Sequence, residues 1–197
     1  MRVIGGSAKG ILLSAVKGED TRPILDRVKE SLFNILTDVI PGSDVIDLFA
    51  GTGAIGIEAL SRGAKSCIFV ERDKTAIQVI KKNLAVTRLQ DKARVLPYDV
   101  FKVADYLEKN KIKSDLVFAS PPYPLVEQNS YMNKLLALFS LLNSKQILEQ
   151  GGLIVLQHRT KKLELSFESF YLDLFDARVY GETQLSFFRN VYTQQGR

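Results

Sequence analysis

Cysteine is almost missing from this sequence. Cys67 is the sole example, so no disulfide can form within the chain. That fits a reducing compartment such as the cytosol. Cys67 itself lies in an apolar stretch and reads as a small buried hydrophobe. Histidine is equally scarce, with His158 alone. One cysteine and one histidine are too few for the usual structural zinc sets, so no metal is expected. No N-terminal apolar run resembles a signal peptide, and no apolar stretch is long enough to span a bilayer. Internal repeats, low-complexity tracts and a linker demanding a second domain are also missing. The expectation is a cytoplasmic chain without a membrane partner, folded as one domain over residues 1–197.

What is present is ordinary in balance: 46% hydrophobic and 25% charged residues suit a soluble globular protein. A formal net charge of +5 and a pI near 9.2 tilt toward a polyanionic partner such as nucleic acid. On charge alone, a basic protein without such a partner fits equally well.

The most informative stretch is D-V-I-D-L-F-A-G-T-G-A-I-G at 44–56. Val45, Ile46, Leu48 and Phe49 suit a strand buried on both faces. Gly51 and Gly53 allow a tight turn and close approach of backbone to a ligand. Ala54, Ile55, Ile57, Ala59 and Leu60 then predict a helix. A strand–turn–helix of this kind offers backbone N–H groups at the strand's carboxyl end, the floor of a nucleotide-type cofactor site.

Residues 1–20 hold two short apolar runs around Gly5, Gly6 and Gly10 and predict a β-hairpin extension. Arg2, Lys9 and Lys17 make it basic, suited to a phosphate backbone or merely solvated. Residues 21–36 predict an amphipathic helix entered at Thr21–Pro23, with Arg22, Arg27 and Lys29 off its apolar stripe. Beyond it, strands at about 44–48, 65–70, 93–96, 115–119 and 153–157 alternate with helices at 54–61, 74–86, 101–109, 133–142 and 144–150. Gly151–Gly152 read as the stop of the last helix. Residues 170–180 and 184–192 predict two strands joined by a tight turn. The fold class is therefore α/β: Rossmann-like, doubly wound, a mostly parallel seven-stranded sheet with an antiparallel last strand, plus the small N-terminal β-hairpin.

Ligands in such sheets bind beyond the carboxyl ends of the strands. Those ends carry Asp47–Gly53, Glu71, Asp99 and Ser120–Tyr123. G-x-G-x-x-G at 51–56 with Glu71 beyond it fits a nicotinamide dinucleotide. Asp47 argues against one, because a carboxylate near a pyrophosphate is repulsive. S-adenosylmethionine offers an ammonium, a sulfonium and a ribose, and no phosphate. Ser120-Pro121-Pro122-Tyr123 follows the fourth strand directly. The prolines fix φ and leave their carbonyls as acceptors. An exocyclic purine amine could donate to Ser120 Oγ and the Pro121 carbonyl while its ring stacks on Tyr123. Its lone pair would then aim at an electrophilic methyl, with the protein supplying position and electrostatics. His158, at the end of the fifth strand, reads more simply as a polar strand-end residue than as a catalyst.

D-L-F-A-G-T-G at 47–53, V-E-R-D at 70–73 and S-P-P-Y at 120–123 resemble the motifs of class I S-adenosylmethionine-dependent amino-methyltransferases. More narrowly, M-R-V-I-G-G at 1–6, T-R-P at 21–23, D-R-V-K-E-S-L-F-N-I-L at 26–36 and Y-G-E-T-Q-L-S-F-F-R at 180–189 resemble the RsmD family, almost end to end. Those enzymes methylate the exocyclic N2 of one guanine in a hairpin loop of bacterial 16S ribosomal RNA. The resemblance implies that Asp47, Phe49, Ala50, Gly51, Thr52 and Gly53 hold the cofactor's methionine portion. It implies that Glu71, beside Arg72, takes the ribose hydroxyls, that Asp99 lies near the adenine amine, and that Ser120, Pro121, Pro122 and Tyr123 form the catalytic segment. Ser120 stands where the family usually carries Asp or Asn; serine supplies an acceptor with shorter reach and no charge. The implied partner is 16S ribosomal RNA or the assembling small subunit, met by a monomer. Arg2, Lys9, Arg22, Arg27 and Lys29 are the candidate RNA contacts, and Tyr131 with the residues after Pro124 a candidate flap. A loop guanine, or one flipped from its stack, could reach such a pocket. The alternatives are an amino-methyltransferase for DNA adenine or protein glutamine, a nicotinamide-dependent oxidoreductase, and a binding module without activity.

Overall fold

The computed structural model describes residues 1–16, 26–122, 128–160 and 172–190. Tyr123, Arg22, Lys17, the T-R-P segment and the flap residues 124–127 lie outside them. The chain forms two compact units, 1–100 and 101–197, and its seven strands make a mixed sheet.

The first unit carries α1 (Asp26–Ile35), β1 (Asp44–Leu48), α2 (Ala54–Ser61), β2 (Ser66–Glu71), α3 (Lys74–Thr87) and β3 (Ala93–Pro97). Its strands run parallel in the order β3-β2-β1, with Asp47 level with Phe69 and Phe69 with Val95. Val45, Ile46, Leu48, Phe69 and Val70 are all buried, so these strands are covered on both faces, and α2 packs on β1 and β2. Asp73 caps α3, its carboxylate accepting the Ala76 N–H at 2.8 Å. Residues 1–13 turn back on themselves through a single antiparallel bridge, Arg2 to Leu12, where the glycines suggest a fuller hairpin.

The second unit carries α4 (Val103–Lys109), β4 (Ser114–Ala119), α5 (Asn129–Ser144), β5 (Leu148–Arg159), β6 (Leu172–Tyr180) and β7 (Thr183–Asn190). Its strand order is β4-β5-β7-β6, the first pair parallel and the others antiparallel. Gly181, at φ +61°, opens the two-residue turn between β6 and β7. One segment departs from expectation. Residues 148–150 are strand, not helix, and α5 is one continuous helix ending at Ser144. Gly151 and Gly152 lie inside β5, where the register against β4 slips between Ser114 and Leu116. Gly151 has φ +76°, and a Cβ on Gly152 would come within 2.8 Å of Glu149 O. The pair therefore makes an irregularity in a strand rather than a helix stop.

No helix among the described residues is long and apolar enough to cross a membrane.

Candidate active site

The turn after β1 is built from alternating left-handed residues: Phe49 at φ +57°, Gly51 at +53° and Gly53 at +75°. Glycine tolerates this at little cost; Phe49 does so against its Cβ. The turn is closed by Gly53 N donating to Ala50 O at 2.7 Å, and α2 begins at once. Behind it, Gly56 lets the helix approach β2, since a Cβ there would lie 2.4 Å from Phe69 Cε1 and 2.7 Å from Cys67 Sγ.

Asp47 sits under this turn with 1% of its surface exposed. Its carboxylate accepts the Gly56 N–H at 3.0 Å. Burial pushes its pKa up to about 8; the Gly56 bond opposes this and the charge of Glu71 adds to it. A cation placed beside such an acid would favour its ionised form.

Glu71, ending β2, accepts the Gly51 N–H at 2.9 Å through one oxygen. The other accepts the Arg72 and Asp73 amides at 2.7 and 2.9 Å. Arg72 Nη1 stands 3.8 Å from Asp99 Oδ2. Within the first unit, then, the glycine turn, Glu71, Arg72 and Asp99 form one connected series across three strand ends.

In the second unit, Ser120 directly follows β4. Its hydroxyl donates to Gln157 Oε1 at 3.4 Å, Pro121 is buried and Pro122 exposed. A serine whose proton is taken by Gln157 keeps its lone pairs for another donor. Gln157 lies next to Ser120 because Ala119 and Leu156 are paired in register. Tyr131, in the first turn of α5, meets Phe101 edge to face with centroids 5.3 Å apart. His158 is buried; its Nε2 and Nδ1 lie 2.9 Å from Ser186 Oγ and Arg159 O. Burial holds its pKa below the ordinary value, against the bond to Arg159. It therefore serves β5–β7 as a neutral hydrogen-bonded residue.

The candidate RNA contacts divide. Arg2, Lys9 and Arg27 are exposed, Arg2 lying 3.6 Å from Asp26. Lys29 is not a surface cation. It is fully buried, its Nζ 3.2 Å from Glu58 Oε2 and donating to Arg2 O at 2.6 Å. A buried charge needs such a partner, and this one withdraws Lys29 from any RNA. Glu58 also accepts from Ile4 N, Gly5 N and Arg62 Nε at 2.8, 2.7 and 2.9 Å, fastening the N-terminal segment to α2. Sequence reasoning missed Glu58, Asn83 and Gln157. The available signal was a polar residue interrupting an apolar helix face, or ending a strand beside the proline segment.

These motifs meet their counterparts in known proteins. The model of a family described as Conserved hypothetical protein 95 matches residues 1–189. The chain belongs to this family. Among its relatives, YlbH of Bacillus subtilis, an rRNA methyltransferase by name, is 41% identical over 96% of this chain and 98% of its own. Ribosomal RNA small subunit methyltransferase D of Haemophilus influenzae is 35% identical over 87% of this chain and 86% of its own. The solved structure of Escherichia coli yhhF, described as a methyltransferase, matches with a TM-score of 0.79 at 29% identity, covering 96% of this chain and 97% of that one. The resemblance to the RsmD family and the Rossmann-like methyltransferase fold are thus both established. The chain is a methyltransferase by family.

Proposed function

We propose that this enzyme transfers the methyl group of S-adenosylmethionine to the exocyclic N2 of a guanine in a loop of 16S ribosomal RNA. The carrying observation is Asp47: a buried carboxylate beneath the glycine turn, its pKa pushed up to about 8 by burial. The cofactor's ammonium would favour the ionised form of this acid, whereas the pyrophosphate of a nicotinamide dinucleotide brings no cation to it. Glu71, now engaged with the Gly51 amide, would accept the ribose hydroxyls, and Asp99 the adenine amine. Phe49, Ala50, Thr52 and Gly53 shape the turn, and Arg72 steadies Asp99. When bound, the cofactor provides an electrophilic sulfonium methyl.

In this reading Ser120, Pro121, Pro122 and Tyr123 handle the target base. Ser120 Oγ and the Pro121 carbonyl accept the two amine hydrogens, Pro122 stiffens the bend, and Tyr123 stacks on the base. No strong base is needed, because the proton leaves after the nitrogen has been methylated. Residues 1–197 act as one cytoplasmic, monomeric methyltransferase domain with 1–20 as its extension. Arg2, Lys9, Arg22 and Arg27 meet the phosphates of the rRNA or of the assembling small subunit. Two of the named relatives carry rRNA methyltransferase in their names, which favours RNA over DNA adenine or protein glutamine.

The test is radiolabelled methyl transfer to 16S rRNA, to small-subunit particles and to duplex DNA, followed by nucleoside identification. N2-methylguanosine from the ribosomal substrates and nothing from DNA is expected. Methyladenine in DNA, or calorimetric binding of NAD instead of S-adenosylhomocysteine, would overturn the reading.

A further inference from the structure

Asn83 lies on α3, outside the sequence of every motif that suggested a cofactor site, and is fully buried. Its side chain pairs with both backbone groups of Ser14: Oδ1 accepts the Ser14 N–H at 2.8 Å, and Nδ2 donates to Ser14 O at 3.1 Å. The same Nδ2 donates to Thr52 O at 2.9 Å, between the two left-handed glycines of the turn. A carboxamide has two N–H donors, and this geometry directs them at two different segments. Thr52 also meets the N-terminal segment directly, its hydroxyl lying 4.0 Å from Met1 Sδ.

We propose that Asn83 is a positioning residue that couples the cofactor turn to the N-terminal segment, so that cofactor occupancy and the placement of residues 1–16 are linked. This rests on the reading that residues 47–53 hold S-adenosylmethionine. The physical reason is that Thr52 cannot shift without disturbing the amide that holds Ser14, and the reverse. Linkage of this kind is reciprocal: ordering the segment favours the cofactor-ready turn, and the cofactor orders the segment. The segment carries Arg2 and Lys9, so the link joins the cofactor to the basic surface that RNA would meet. Its other fastenings differ in kind. Ser61 Oγ accepts the Ala8 N–H and donates to Gly5 O at 2.9 and 2.6 Å, holding the segment to the far end of α2 without touching the turn.

The test compares wild type (residues 1–197), Asn83→Asp, Ser14→Pro and Ser61→Ala. Asn83→Asp is isosteric but replaces the donors with acceptors facing two carbonyls. Ser14→Pro removes the N–H that Asn83 accepts and leaves α3 untouched. Calorimetry gives the Kd of S-adenosylhomocysteine, and hydrogen exchange reports residues 1–16 with and without it. Expected is a Kd raised about tenfold in Asn83→Asp and severalfold in Ser14→Pro, with Ser61→Ala close to wild type. In wild type, S-adenosylhomocysteine slows exchange at residues 11–16, and in Asn83→Asp it does not. If wild type binds S-adenosylhomocysteine and both Asn83→Asp and Ser14→Pro bind it equally well, the coupling is refuted while the cofactor assignment stands. If Asn83→Asp does not fold, an unchanged Kd in Ser14→Pro refutes it alone. If wild type does not bind S-adenosylhomocysteine, both the cofactor assignment and the coupling fail.

Discussion

The Gly56 N–H reaches back to the Asp47 carboxylate at 3.0 Å, closing the turn between β1 and α2 from beneath. One hydrogen bond does not replace the water that a buried carboxylate gives up, and Asp47 stays protonated up to a pH of about 8. Its raised pKa makes a negative contribution to the free protein's stability as pH rises from about 4 toward 8, because the unfolded chain ionises first. A cationic ligand reverses the preference, favouring the ionised form. S-adenosylhomocysteine affinity should therefore increase with pH up to about 8 and level off, with proton release on binding below that pH. Calorimetry in buffers of different ionisation enthalpy measures both.

Asp47→Asn should separate stability from function. The amide keeps an acceptor for Gly56 and removes the buried acid. At pH 8 the free variant should melt about 2 °C or more above wild type. It should lose S-adenosylhomocysteine binding together with its pH dependence.

Ser120→Ala and Tyr123→Ala should each lower kcat by about 10²-fold or more and leave cofactor affinity within about twofold. Single-turnover methyl transfer and calorimetry check the two halves. A double variant with full activity would contradict the amine-positioning mechanism.

Gly56→Ala places a Cβ 2.4 Å from Phe69 Cε1 and 2.7 Å from Cys67 Sγ. Overpacking of this kind should cost about 1–3 kcal/mol in urea unfolding. Cofactor affinity should fall with it, because α2 and the turn share this contact.

Lys29 and Arg27 are neighbours in sequence with opposite predicted behaviour. Lys29→Met leaves Glu58 buried with Arg62 as its remaining charged partner, and should cost about 3 kcal/mol of stability. Arg27→Ala, on the surface, should change stability by less than about 0.5 kcal/mol. It should instead raise the KM for RNA and reduce its salt dependence.

Much of this was legible in the chain itself, for local reasons. The bounds of β1 and α2 follow from an apolar run, two glycines and a second apolar run, a pattern that few other structures satisfy. Glu71 lies at the end of β2, as the alternation of elements predicts, and its bond to the Gly51 amide is a contact the spacing did not specify. The misreadings involve residues whose meaning depends on distant partners. Lys29 has the sequence signature of a solvated helix face, and only Glu58, on another helix, makes it a core residue. Gly151–Gly152 suit a helix stop or a strand irregularity equally well, and pairing with β4 decides between them.

Sequence alone determined the alternation of elements, the glycine turn and the chemistry offered at the strand ends, because periodicity and backbone constraints act over a few residues. Tertiary structure alone decided which polar side chains stay in water. It buried Asp47, Glu58 and Asn83, and for Glu58 and Asn83 it supplied partners from segments far along the chain. The cost of desolvating a charge or an amide depends on three-dimensional neighbours, and no local stretch of sequence contains them.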